Sequence, residues 1–451
     1  MPNDFAYAAL LIWPIVSVVL YHKYPVITAT FWTIVGGYLL LPVGVEFDFP
    51  LIPALDKNTI PAILAFFGCR YIAKKKITLL PSPGIERKLI IVLFLGSIVT
   101  VLTNSEPVVE PNRYISGLSF HDTLSTVVSQ WLLLLPFILG IQIVKTHEDQ
   151  IKLMRLLVIA GLWYSLLIIF EIRMSPQLHT WAYGFFPHSW AQQVRYGGFR
   201  PVVFLGHGLK VSIFVMTFFA MAVTLSKLKI KMTRFSNTSV LLFIASVLVL
   251  SKGFGAIILG LLLAVSLLLF SNSKGRYLAI FTAGIAVTYP LLCIFDIFPH
   301  QYLIEGIGSI DPTRAASLQY RFDQESALLE RAMEKITFGW GTWGRNRLED
   351  SVVDGYWIGV TGTYGLVGFV AIFGLMLSAV MKASRVCLSA VSDHHKWLLV
   401  GHSLLVALLM LDQIPNHSES PYFWLIVGAL SARAMHKNSS GDQEISVMKP
   451  T

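Results

Sequence analysis

The chain reads as an all-α polytopic membrane protein of about 12–13 transmembrane helices with a helical region in one long loop, and three observations carry that reading. Of its 451 residues 55% are apolar and only 14% charged, whereas soluble domains carry about 25% charged residues. Mean hydropathy is +0.65. Apolar runs close to the roughly 20 residues that a helix needs to cross hydrocarbon recur from one end of the chain to the other. The formal charge of +9 would raise the question of nucleic acid in a soluble chain; here it bears on which side of a membrane the cations lie, and no nucleic-acid partner is expected. Cys69, Cys293 and Cys387 are far apart in sequence and show neither a disulfide framework nor a zinc spacing.

The apolar runs place spans at 5–21, 25–45, 60–73, 89–103, 123–144 and 153–170 in the first part of the chain. A second set follows at 202–225, 238–250, 255–270, 277–297, 356–380, 397–411 and 422–434. The runs at 60–73, 89–103 and 238–250 are short for a crossing, so tilting or merging would bring the count from thirteen to twelve. The chain divides into an amino-terminal bundle (1–170), a core with two long loops at 171–201 and 298–355 (171–380), and carboxy-terminal helices with a short tail (381–451). With the amino terminus outside and spans alternating, the inner side collects 22 cations and 6 anions against 13 and 20 outside. The positive-inside rule favours this orientation. The first run lacks a basic leader and a small-residue cleavage site, so it reads as a retained span.

Both long loops are rich in aromatics and glycine without being low in complexity, and function is expected there. In the second, residues 321–336 form a helical pattern with Leu329, Met333 and Ile336 on one side, too polar to span and suited to lie along the membrane face. The first loop ends in VRYGGFRPVVFLGHGLK. Arg195 and Arg200 flank a Gly-Gly turn, and His207 and Lys210 stand where the next span begins. Arginine suits two-pronged binding of phosphate oxygens at a partly dehydrated site; binding lipid headgroups is the alternative. His207 also suits a structural hydrogen bond at the helix entrance. The second loop offers Arg314, Arg321, the corner FGWGTWGR with Trp340 and Trp343, and Asp354 at the mouth of the next span. Arg321 and Glu325 are also an ordinary i,i+4 pair, and Asp354 could cap the following helix. No P-loop, nucleotide-binding glycine motif, HExxH or clustered metal-ligand set is present, although Glu46 and Asp48 in an outer loop could hold a divalent ion.

In the order and placement of four motifs the chain resembles the O-antigen ligase and exopolysaccharide polymerase superfamily of GT-C-type membrane glycosyltransferases. These are the Arg195–Lys210 stretch entering a span, the LSKGFGA turn between two apolar runs, Arg321 through the FGWGTWG corner, and DGYWIGVTGTYGLVGF opening the next span. Two positions depart from the family pattern. Phe254 stands where the family turn has arginine, leaving Lys252 nearby, and Asp354 stands where ligases have a His-Asn pair. The second departure favours a polymerase over a ligase. The resemblance implies a multi-pass protein of the bacterial inner membrane with a periplasmic site and no cofactor or metal. It would transfer a polyprenyl-diphosphate-linked glycan to a glycan or lipid acceptor, with membrane lipids and a chain-length regulator or flippase as further partners. Arg195, Arg200 and Arg321 would stabilise the departing diphosphate and Asp354 would be the base. His207, Lys210, Arg314, Trp340 and Trp343 would contact substrate. The competing class is a transporter, which would place ionisable or broken-helix features near the bilayer midplane.

Overall fold

A computed structural model of the chain describes residues 1–49, 53–195, 197–309, 311–349 and 351–435, with the backbone alone for Arg195, Arg314, Ala434 and Met435. Among the described residues helix predominates, and the strands form two short hairpins, Val108–Glu110 with Arg113–Ile115 and Val194–Arg195 with Gly198–Phe199. Seven helices are long and apolar enough to cross a membrane: α1 (Asp4–Lys23), α5 (Phe120–Ile143), α6 (His147–Met174), α8 (Gly208–Lys227), α11 (Asn272–Ile294), α14 (Tyr356–Ser389) and α15 (Asp393–Asp412). Four shorter apolar helices accompany them: α2 (Val26–Leu40), α3 (Thr59–Ile72), α9 (Asn237–Leu250) and α10 (Phe254–Leu269). Helices α4 (Ile85–Leu102) and α16 (Pro421–Met435) complete the bundle. A small helix α7 (Leu178–Tyr183) lies in the first long loop, and α12 (His300–Gly308) and α13 (Pro312–Met333) lie in the second. Each apolar run noted above is matched by a helix, which makes this a helical membrane protein.

Helix starts follow local chemistry. Asn3 accepts the amide of Ala6 to open α1, and capping boxes open α5 (Ser119 with Asp122) and α6 (Thr146 with Asp149). Large apolar side chains such as Leu242, Leu261, Leu268 and Leu269 stay exposed on α9 and α10, a surface suited to lipid and costly in water. Inside, packing depends on close backbone approach. A Cβ on Gly140 of α5 would sit 2.7 Å from the Leu425 carbonyl, and one on Gly428 of α16 would sit 2.2 Å from that of Phe137. Only small residues allow helices to cross this closely, so the two glycines face each other across the contact.

The loops that follow α2, α4, α6, α11 and α15 meet at one end of the bundle, called here the loop face. Asn3 donates to Ala182, Lys57 to Phe204, Arg345 to Ser116 and Arg321 to Pro415, tying distant loops together there. The opposite end carries the buried Glu86 with Lys382, and Arg433 donating to the Lys145 carbonyl.

Three expectations are corrected. The run at 202–225 becomes helical only at Gly208, because the amides of Val202 and Val203 are held by the buried Glu171 carboxylate at 2.8 and 2.7 Å. The helix expected at 321–336 spans Pro312–Met333, and its buried side is Leu328 and Ala332 while Met333 is exposed. That side faces the bundle, since Glu325 on the same helix is bonded to Trp357 of α14. Finally, α14 breaks at Gly365 (φ 66°, ψ −167°). The chain at 336–341 lies in this break, where Trp340 and Gly341 donate to the Gly362 and Thr363 carbonyls and Leu366 and Val367 donate to those of Ile336 and Thr337.

Candidate functional site

The FGWGTWGR corner is built by backbone geometry. Gly339, Gly341 and Gly344 take positive φ, and a Cβ on Gly339 would meet the Thr363 carbonyl at 2.5 Å. Arg345, at 0% exposure, ties the corner to the first hairpin by donating to the carbonyls of Trp340, Ser116 and Glu106. Trp340 is 7% exposed, donates to the Arg331 carbonyl, and is covered by the Arg331 guanidinium at 3.3 Å and Lys335 at 4.5 Å from its ring centre. It is therefore packed against both cations and buried in the corner. Trp343, 53% exposed, keeps a free ring at a groove.

Arg321 and Asp354 come together, with Nε to Oδ2 at 3.8 Å, and Arg321 also donates to the Pro415 carbonyl at 3.0 Å. The i,i+4 alternative is not what forms. Glu325 turns inward, where its carboxylate accepts from the Tyr289 hydroxyl at 2.5 Å and from Trp357 Nε1 at 3.0 Å. Burial pushes the Glu325 carboxyl above its usual range, against these two hydrogen bonds. Asp354 does not cap α14; Gly355 occupies the cap position without a side-chain bond. Arg321, Glu325 and Asp354 line a cavity of about 230 Å3 walled by Tyr289, Phe322 and Pro415.

Pro415 belongs to the short segment 413–420 between α15 and α16, and a second cavity lies beyond it. That cavity, about 350 Å3, is lined by Lys210, His417, Glu419, Asp56 and Tyr38 among others. It shares Glu46, Pro53, Ala54 and Ser129 with an outer groove of about 570 Å3 that adds Asp48, His121, Asp122 and Trp343, so the two are continuous. Burial pushes the Glu419 carboxyl up to about 7 although Lys210 pulls it down, and Trp424 donates to it at 3.0 Å. Burial, reinforced by the charge of Lys210, brings the Lys57 ammonium down to about 7; it donates to the Phe204 carbonyl and faces the Tyr38 ring at 5.0 Å. A carboxyl and an amine that both titrate near neutrality therefore stand around Lys210.

The first-loop residues gather elsewhere on the same face. Arg200 is 2% exposed, and its stem packs on Gly208, where a Cβ would meet its Cδ at 2.5 Å. His207 caps α8 by accepting the Leu209 amide at 3.0 Å, and its ring lies 4.7 Å from that of His188. A Cβ on Gly198 would come within 2.7 Å of Lys252 Nζ, so the LSKGFGA turn sits against the Arg195–Arg200 hairpin. The side chains of Arg195 and Arg314 lie outside the described residues. Sequence reading missed Lys57, His417 and Glu419. The available signal was an acid and a histidine in a segment of eight residues between two apolar runs. It also missed that Cys293, His300 and Glu325 come together as metal-capable side chains. No family model matches the chain, and no curated protein matches it.

Proposed function

We propose that the protein is a membrane glycosyltransferase that polymerises or transfers polyprenyl-diphosphate-linked glycan at the outer face of a bacterial inner membrane. The observation that carries this reading is the loop-face groove, which combines acidic side chains and an exposed tryptophan with the half-buried cation Lys210 and the neutral-range carboxyl Glu419. Asp48, Asp122 and Glu46 suit a polyhydroxylated ligand as hydrogen-bond acceptors, and Trp343 suits stacking on a sugar face. Lys210 suits stabilising a departing diphosphate, with Arg200 and Arg321 as further cations on the same face.

In this reading an acceptor hydroxyl attacks the anomeric carbon, the bond to the diphosphate oxygen breaks, and the hydroxyl proton passes to a carboxylate. Glu419 suits that step because its affinity for a proton lies near ambient pH; Asp354, beside Arg321, suits orienting the arginine. A single displacement inverts the anomeric carbon. A ligase that delivers glycan to lipid A core or another acceptor uses the same chemistry. Among the described residues, the break at Gly365, the π-helical turns in α2 and α3 and the buried His402 in the middle of α15 are features a transporter would share, but the backbone groups at the break are met by residues 336–341 and His402 is bonded to Gln150 and to the Ile426 carbonyl.

The test is transfer by the purified protein from a polyprenyl-diphosphate-linked oligosaccharide, with products sized by chain length. Lys210→Ala, Arg200→Ala, Arg195→Ala and Arg321→Ala are each expected to lower transfer at least about tenfold, the scale of one lost charge-stabilising contact. Wild-type rates in all four would remove the diphosphate reading.

A further inference from the structure

We propose that Cys293, His300 and Glu325 form a binding site for a single zinc-class transition-metal ion that clasps the α12–α13 hairpin to the bundle. The three ligands come from three helices: Cys293 from the last turn of α11, His300 from the first residue of α12, and Glu325 from the middle of α13. Their donor atoms all lie within 4.8 Å of one another. Cys293 Sγ is 3.9 Å from His300 Nε2 and 4.0 Å from Glu325 Oε1.

The two sulfur separations are close to those of tetrahedral coordination. Bonds of about 2.3 Å to sulfur and about 2.0–2.1 Å to nitrogen or oxygen, at tetrahedral angles, put ligand atoms about 3.6 Å apart. The two sulfur edges need to contract by only a few tenths of an ångström, and the edge between His300 and Glu325, within 4.8 Å, by at most about 1.5 Å, within the reach of side-chain rotation. The donor set also selects the metal. A thiolate and an imidazole beside one carboxylate suit zinc and its neighbours, while magnesium and calcium require oxygen shells.

The surroundings resemble the support that metal ligands receive. Trp357 Nε1 donates to Glu325 Oε2, the oxygen away from Cys293, and the Tyr289 hydroxyl donates to Oε1, so both the position and the plane of the carboxylate are set. Cys293 is buried, and the His300 ring is held between Phe298 and Phe322 with centroids at 4.9 and 4.4 Å. Three protein ligands leave a fourth position for water. Arg321 lies one turn from Glu325 on the same helix, so an ion here would fix the arginine beside the cavity without entering the transfer chemistry. The site stands whether or not the protein moves glycans.

The experiment uses the full chain purified in detergent without added chelator, and then loaded with Zn2+ or Co2+ alone. Elemental analysis is expected to give about one zinc per chain after loading and removal of excess metal. The cobalt form is expected to show the intense visible bands of a tetrahedral site and a thiolate-to-cobalt band in the near ultraviolet. Cys293→Ser and His300→Ala should abolish both signals, while Cys69→Ser, at a buried cysteine elsewhere, should keep them. Tyr289→Phe removes only a supporting hydroxyl and should weaken zinc binding about tenfold or more. Wild-type protein that holds no stoichiometric zinc and gives no thiolate band overturns the site without any variant. Retention of both signals in Cys293→Ser overturns it as well.

Discussion

Glu419 shows how burial can turn an ordinary carboxylate into a group that responds at neutral pH. Its folded-state affinity for protons is raised to about 7, against about 4.3 for a free glutamate. The stability it contributes is therefore present below about pH 4.3 and lost as pH rises through about 7, because the folded chain holds the proton that the unfolded chain releases. Glu419→Gln should flatten this loss, measured as thermal unfolding in detergent between pH 5 and 8. If Glu419 takes the acceptor proton, wild-type transfer should rise with pH to a plateau above about 7. The variant should lose that limb and fall by about 100-fold or more. For Asp354→Asn, transfer should slow with donor affinity little changed, read as kcat against KM in the same assay. Among single residues, sequence revealed the chemistry and not the partner. Arg321 and Asp354 could be named as charged groups at loop ends, but whether Arg321 paired with Glu325 or with Asp354 depended on the rotation of α13, which places Glu325 against Tyr289 and Trp357. For Trp340, an aromatic beside glycines gives no sign in the sequence of the Arg331 and Lys335 side chains that pack on its ring.

At the scale of elements, the joint between the glycine corner and the broken helix α14 is the most constrained part of the chain. Gly365 holds a conformation that side chains avoid, and a Cβ there would come within 2.3 Å of the Thr337 carbonyl group. The backbone conformation alone makes Gly365→Ala cost about 1–3 kcal/mol, with the clash in addition. A sharp drop in detergent-stable protein, seen by size-exclusion chromatography after mild heating, is the expected outcome. Arg345→Leu should leave the buried Trp340 carbonyl without its donor, at about 1–3 kcal/mol, remove the ties to the part-buried Ser116 and Glu106 carbonyls, and lower the unfolding temperature by a comparable route. The helices themselves were legible to within a few residues at most ends, because lipid demands runs of apolar residues and few other constraints produce them. The late start of α8 was not legible, since Val202 and Val203 are as apolar as a span and are kept out of the helix by a carboxylate that precedes them by some thirty residues.

For the molecule as a whole, the distribution of charge predicts an orientation that fusion reporters can check. With the loop face outside, alkaline phosphatase joined after Gly306 should be active and green fluorescent protein joined after Val391 should fluoresce. The reverse pattern would put the groove on the inner side and remove the outer-leaflet reading. Long-range assembly was the least legible level. Cys293, His300 and Glu325 are separated by turns that bring three helices to one point, and the segment around Glu419 gains meaning only when Lys210 arrives from the first turn of α8, with Lys57 near it. That segment, residues 413–420, is a common wall: Pro415 faces the Arg321 cavity, and His417 and Glu419 face the Lys210 cavity. A ligand in either chamber that displaces this segment would change the lining of the other, and by linkage the two occupants would then alter each other's affinity by the same factor.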